Sequence, residues 1–143
     1  MSGKDSGIRS QASIDGALLD AFTTALRGII SVAAMVVFGS RATGDNLEDS
    51  DYDILVLSPD FERYNRFERI QVLLDRWPGS VALEPVALTP AEFGEVEGAL
   101  IWDILHDGLV VHDNGIFKKK RASLHERIDS GELVRDANSW AFS

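Results

Sequence analysis

Residues 38–57 read Phe38-Gly39-Ser40-Arg41-Ala42-Thr43-Gly44-Asp45-Asn46-Leu47-Glu48-Asp49-Ser50-Asp51-Tyr52-Asp53-Ile54-Leu55-Val56-Leu57. Two apolar runs meet here across a polar loop. Val32 to Phe38 is short, partly β-branched and stopped by Gly39, the pattern of a buried strand. Tyr52 to Leu57 is the second strand, with Asp51 and Asp53 at its start. Side chains alternate across a strand, so the two carboxylates point to one face and Tyr52 to the other. Carboxylates held side by side repel each other, and a divalent cation relieves that repulsion; oxygen ligands of this kind suit Mg²⁺ or Mn²⁺. Gly39 lets a phosphate approach the backbone. Ser40 offers a backbone N–H and a hydroxyl where a short helix begins. A phosphate site and a metal site are therefore expected to face each other across one loop.

Outward from this stretch the elements follow from the same chemistry. On the N-terminal side, Ile14, Leu18, Phe22, Ala25, Leu26 and Ile29 recur at helical steps, with Ser13 as N-cap and Gly28 near the end. Residues 1–12 are small and polar and read as a flexible tail, leaving 13–143 as one domain. On the C-terminal side, Ser58-Pro59 opens a helix expected to run to Trp77, where Pro78-Gly79 stops it. Its apolar stripe is Phe61, Tyr64, Phe67, Ile70, Leu74 and Trp77. Val81 to Leu88 is a third strand, and Pro85 inside it marks an edge position or a bulge. Thr89-Pro90-Ala91-Glu92 is a capping box that starts a helix expected to reach His106. Leu109 to His112 is a fourth strand, Asn114-Gly115 a turn, and Ile116 to Ser130 a last helix ended by Gly131. The remaining tail keeps Leu133, Val134, Trp140 and Phe142, so it is expected to dock. The order is α β (loop) β α β α β α: an α/β (α+β) fold with a short mixed sheet of about four strands packed against helices.

Composition narrows the function classes. At 143 residues the chain suits one domain at roughly 100–200 residues each. With 14 basic and 23 acidic residues the net charge is −9. That disfavours non-specific binding to nucleic acid and to anionic membranes, since both depend on Lys and Arg. No apolar run approaches the roughly 20 residues that span a bilayer, and residues 1–11 do not form a secretory core. Cysteine is absent, which excludes disulfides, thiolate metal sites and a cysteine nucleophile and fits a reducing cytoplasm.

The Gly39-Ser40, ten residues, Asp51-x-Asp53 pattern resembles the signature of the DNA polymerase beta-type nucleotidyltransferase superfamily. The chain as a whole is similar to its minimal nucleotidyltransferase branch, small proteins often encoded beside a HEPN-domain partner. The resemblance runs over roughly residues 14–130. It implies a third carboxylate on the strand before Thr89-Pro90-Ala91-Glu92-Phe93, and the matching position is Glu84. The family more usually has Asp there, and Glu reaches about one methylene further. It also implies Asp51, Asp53 and Glu84 as metal ligands and catalytic residues, Gly39 and Ser40 as phosphate contacts, and Arg41 as a further phosphate contact. The implied reaction moves a nucleotidyl group, AMP from ATP in the first instance, to a hydroxyl of the HEPN-type partner. Two further readings stay open: a binding module of this fold that acts by contact alone, and a transferase for a small hydroxylated molecule of the aminoglycoside kind. Self-association and association with a partner are both left open.

The other polar features have plainer readings. Asp45, Glu48 and Asp49 read as a solvated loop, and Ile54 where a calcium loop needs Gly excludes an EF-hand. His106, His112 and His125 lack metal-ligand spacing. Lys118 to Arg121 reads as the solvated face of the last helix, and Trp77, Trp102 and Trp140 as packing residues.

Overall fold

In the computed structural model, residues 14–137 and 139–143 are described; the expected tail over 1–12 and Ser13 lie outside them. Helix α1 is Gly16–Arg27, strand β1 is Ala34–Phe38, and the one-turn helix α2 is Ser40–Thr43. Strand β2 is Tyr52–Leu57, followed by a 3-10 helix, Pro59–Arg63, and helix α3, Arg66–Arg76. Then come β3 (Leu83–Leu88), α4 (Pro90–Glu95), α5 (Ala99–Asp107), β4 (Leu109–Asp113), α6 (Ile116–Asp129), β5 (Leu133–Asp136) and β6 (Ser139–Phe142).

The main sheet has the order β3-β2-β1-β4. β1 is antiparallel to both β2 and β4, and β2 is parallel to β3. A parallel pair needs a crossover, which the 3-10 helix and α3 supply. β3 is an edge strand, as Pro85 requires, because proline cannot donate to a second neighbour.

Strand alternation divides the core. Met35, Val37, Tyr52, Ile54 and Val56 point to one face, where they bury Leu19, Phe22 and Leu26 of α1 and Leu73 of α3. Val36, Phe38, Leu55 and Leu57 point to the other, against Phe93, Trp102, Leu105, Phe117 and Leu124 of α4, α5 and α6. The sheet is thus sandwiched between two helical layers, each supported by burial at about 25 cal/mol per Å² of apolar area.

Several local expectations are corrected. The N-cap of α1 is Asp15, whose side chain accepts from Leu18 N at 3.1 Å. The expected helix to Trp77 is broken at Tyr64, because Asn65 and Glu68 form a capping box that restarts the chain as α3. The restart rotates the helix, so Leu73 is buried, Phe67 is 84% exposed and Leu74 is 42% exposed. The expected helix to His106 is likewise two helices, α4 and α5, parted at Gly98 with φ 119°. The Thr89–Glu92 capping box is present, with Glu92 N donating to Thr89 Oγ1 at 3.1 Å and Thr89 N to Glu92 Oε1 at 2.8 Å. Third, the basic run is not simply a solvated face. Lys120 Nζ donates to the Phe93 and Val96 carbonyls at 2.6 and 2.8 Å, capping the end of α4. Arg121 Nε donates to the Leu105 carbonyl at 2.6 Å at the end of α5.

The tail docks, as expected. β5 and β6 form an antiparallel hairpin with Leu133 opposite Phe142. Trp140 Nε1 donates to Asp103 Oδ1 at 2.8 Å, and Trp102 meets Trp140 and Phe142 edge-on.

Candidate active site

The site lies at the end of the sheet where β1 stops and β2 starts. Phe38 pairs with Asp53, and Asp53 pairs with Glu84, so the three residues form one row across β1, β2 and β3. Alternation puts Asp53 on the same face as Leu55 and Leu57, and Glu84 on the same face as Val86 and Leu88. Tyr52 points the other way, into the α1 side of the core, as the spacing requires.

Gly39 follows Phe38 directly and turns the chain with φ 72° and ψ −153°, a conformation that L side chains rarely adopt. A Cβ built on Gly39 would overlap Oδ2 of Asp53 and lie 3.1 Å from its Cγ. The turn therefore presses against the carboxylate with nothing between them. Ser40 begins α2, and Gly39 O accepts from Ala42 N and Thr43 N at 3.0 and 3.2 Å. Gly44, with φ 83°, ends this single turn.

The electrostatics mark Asp53 as the centre of the cluster. Burial first, then the Glu84 carboxylate and a hydrogen bond with it, then Asp51, push the Asp53 carboxyl from 3.8 up to about 6. Below about pH 6 this carboxyl holds a proton, which a bound cation would displace.

Asp51 is less firmly gathered than expected. It precedes β2, is exposed, and influences Asp53 only as the last of the four causes. Among the described residues, no three His, Asp or Glu side chains stand ready as a metal site. The ladder sets Asp53 and Glu84 side by side, where their charges act on each other, while Asp51 stays outside it. The donor set still fits Mg²⁺ or Mn²⁺ in kind: hard oxygen ligands whose mutual repulsion a divalent ion relieves.

Arg41 takes a part that the sequence did not reveal. It is 5% exposed and turns inward from α2. Its Nε and Nη2 donate to the Ser50 carbonyl at 3.1 and 2.7 Å, and Nη2 also to the Glu48 carbonyl at 3.1 Å. Its guanidinium carbon stands 4.1 Å from the centroid of the Tyr52 ring.

The nucleotidyltransferase domain family matches residues 19–128, well over half of the chain. The chain belongs to that family. Its nucleotidyltransferase fold recurs in solved structures. A chain of a toxin–antitoxin complex crystallised with AMP-PNP is 18% identical, with a TM-score of 0.57 over 82% of this chain and 91% of that one. A candidate nucleotidyltransferase from Sulfolobus solfataricus is 21% identical, with a TM-score of 0.55 over 74% and 87%. A chain of the toxin–antitoxin complex MntA-HepT is 16% identical, with a TM-score of 0.53 over 81% and 91%. No curated protein matches the chain. The family match ends before β5, so the C-terminal hairpin lies beyond it. No helix among the described residues is long and apolar enough to cross a membrane.

Proposed function

We propose that this nucleotidyltransferase domain transfers AMP from ATP to a hydroxyl of a HEPN-type partner protein in the cytoplasm, as the antitoxin of a toxin–antitoxin pair. The observation that carries the reading is the Gly39 turn pressed against Asp53, in one row with Glu84. A triphosphate lying on that turn meets the carboxylates at once. The likeness of the fold to chains of toxin–antitoxin complexes, one of them holding AMP-PNP, supports the choice of partner and nucleotide.

In this reading Gly39 and Ser40 hold the β- and γ-phosphates through backbone N–H groups and the Ser40 hydroxyl. Asp51, Asp53 and Glu84 would hold Mg²⁺ or Mn²⁺. The ion would neutralise the charge that builds on the phosphates during transfer. The acceptor oxygen bonds to the α-phosphorus as the bond to pyrophosphate breaks, and Glu84 takes the hydroxyl proton. Holding the reactants in line is the larger part of such catalysis.

The test incubates the protein with ATP, Mg²⁺ and a HEPN-domain protein encoded beside it. The partner's mass should rise by whole AMP units, and an Asp51→Asn/Asp53→Asn variant should leave it unchanged. A competing reading is a non-enzymatic binding module of the same fold, favoured by the absence of a ready three-ligand set among the described residues. That module would bind its partner while showing no metal-dependent nucleotide binding.

A further inference from the structure

Asp51 and Asp53 are held in place by different means. Asp53 lies in the ladder, flanked by Phe38 on β1 and Glu84 on β3. Asp51 lies just before β2 and is exposed. Its position is set by its two chain neighbours, and the side chain of Arg41 touches both. Ser50, on one side, has its carbonyl gripped by Nε and Nη2 at 3.1 and 2.7 Å. Tyr52, on the other, has the guanidinium stacked over its ring at 4.1 Å. The ring is itself fixed: Tyr52 Oη accepts from Asp15 N at 2.9 Å, and Trp77 packs against it at 5.3 Å. The Glu48 carbonyl, also on Nη2, holds the loop two residues further back.

We infer that Arg41 is a positioning residue for Asp51, clamping the loop on both sides of that carboxylate, and is not a phosphate ligand. The inference rests on the proposed reading of Asp51 as a metal-holding carboxylate. The chemistry selects arginine: only a planar fork can donate twice to one carbonyl while laying its face on an aromatic ring. Because Arg41 follows Ser40 directly, the same turn that would carry the phosphate contacts also fixes the distant end of the loop. Phosphate and metal subsites are thereby set by one backbone segment, residues 39–41.

The test measures AMP-PNP binding by calorimetry with Mg²⁺ and with EDTA, and takes the ratio of the two affinities. In the unaltered chain the ratio exceeds one. Arg41→Lys should lower the ratio by roughly tenfold, the loss typical of a residue that orients a ligand, while the EDTA value stays the same. Asp51→Asn should lower it too, and the double variant should lose little more than Asp51→Asn alone, because both act on one group. If Arg41→Lys weakens binding equally with Mg²⁺ and with EDTA, Arg41 is a phosphate ligand and the inference fails. It fails also if Arg41→Lys keeps a ratio that Asp51→Asn has lost. A ratio of one in the unaltered chain would instead sink the reading of the site itself, and the inference with it. Because Arg41 is buried, a measurement on the unaltered protein stands beside the variants. The Ser50 amide, which donates to the Leu47 carbonyl at 3.1 Å, should exchange its hydrogen at least about tenfold more slowly than in an unstructured peptide. Exchange at the peptide rate means that no clamp exists, whatever the variants do.

Discussion

Gly39 and Asp53 sit so close that any side chain at position 39 would overlap the Asp53 carboxylate. The two residues are fourteen apart in sequence and come together because β1 and β2 pair with Phe38 opposite Asp53. The requirement for glycine at this position is therefore double. The backbone has φ 72°, and the space a Cβ would need is already occupied by the Asp53 carboxylate.

Gly39→Ala should abolish metal-dependent nucleotide binding and cost comparatively little stability. With ψ −153° beside φ 72°, Gly39 lies in a region essentially confined to glycine, where the strain is about 1–3 kcal/mol for a residue with a Cβ, and the turn is exposed. The larger effect is displacement of Asp53. Calorimetry and thermal unfolding on the same variant separate the two. Wild-type affinity in Gly39→Ala would show that the turn and the carboxylate do not act together.

Acidification should move the Asp53 contribution to stability and the metal-dependent binding in opposite directions. Asp53 holds its proton up to about pH 6 in the folded chain, against about 3.8 for an ordinary Asp. The folded state thus binds the proton more tightly, a contribution complete below pH 3.8 and lost as pH rises through 6. Asp53→Asn should therefore be more stable than the parent at pH 8, and the gap in Tm should close as pH falls below 6. Metal and proton compete for the same oxygens, so metal-dependent nucleotide affinity should fall over that interval in the parent. A Tm gap that does not change with pH would contradict the assignment.

Lys120→Met should destabilise the fold without touching the site. Its ammonium donates to two carbonyls at the end of α4 within 2.8 Å and stands 5.2 Å from the Phe93 ring centroid. Hydrogen bonds to a charged group are worth about 1.5–3 kcal/mol, so Tm should drop by roughly 5–10 °C for a chain of this size. Lys119→Met, one residue away on the exposed face, should stay within about 0.5 kcal/mol of the parent. Equal effects from the two lysines would refute the capping role.

The strands were legible because strand alternation and a glycine stop are local signals, whereas the Gly39–Asp53 contact depends on the register of β1 against β2, which alternation does not give. β2 runs over Tyr52–Leu57 as its composition requires, and Pro85 marks β3 as an edge. The helices were less legible because their breaks are set by caps that compete with periodicity. Asn65 and Glu68 sit inside a stripe that reads as continuous, yet their paired hydrogen bonds restart the helix and expose Phe67. The signal was present as Asn-x-x-Glu, and the apolar stripe outweighed it. Arg41 was hidden for another reason. Its neighbours in sequence suggest phosphate, whereas the carbonyls it binds, of Ser50 and Glu48, are backbone atoms with no signature in the sequence. Asp113 is a similar case: the fourth strand is expected to stop at His112, yet Asp113 ends β4 and its carboxylate accepts from the Gly115, Phe117 and Lys118 amides at the start of α6.

Glu84 offers the most discriminating substitution, because its charge and its reach are changed separately in two variants. It pairs with Asp53 in the ladder and, after burial, is the next largest cause of the raised Asp53 carboxyl. Glu84→Gln removes that charge together with one of the three proposed metal ligands, so metal-dependent binding should weaken overall, while the Asp53 proton is lost at lower pH and the midpoint of the binding profile shifts towards acid. The same variant removes the acceptor for the hydroxyl proton, so the transfer rate at neutral pH should fall by about 10²–10⁴-fold. Glu84→Asp keeps the charge and shortens the reach by one methylene, so its pH midpoint for binding should stay near the parent's while transfer falls by a smaller factor. Binding profiles against pH and single-turnover transfer rates on the two variants give four numbers. If Glu84→Gln leaves the pH midpoint unmoved, the carboxylates are not coupled. If it moves the midpoint but leaves the rate intact, Glu84 tunes the site and another group takes the proton.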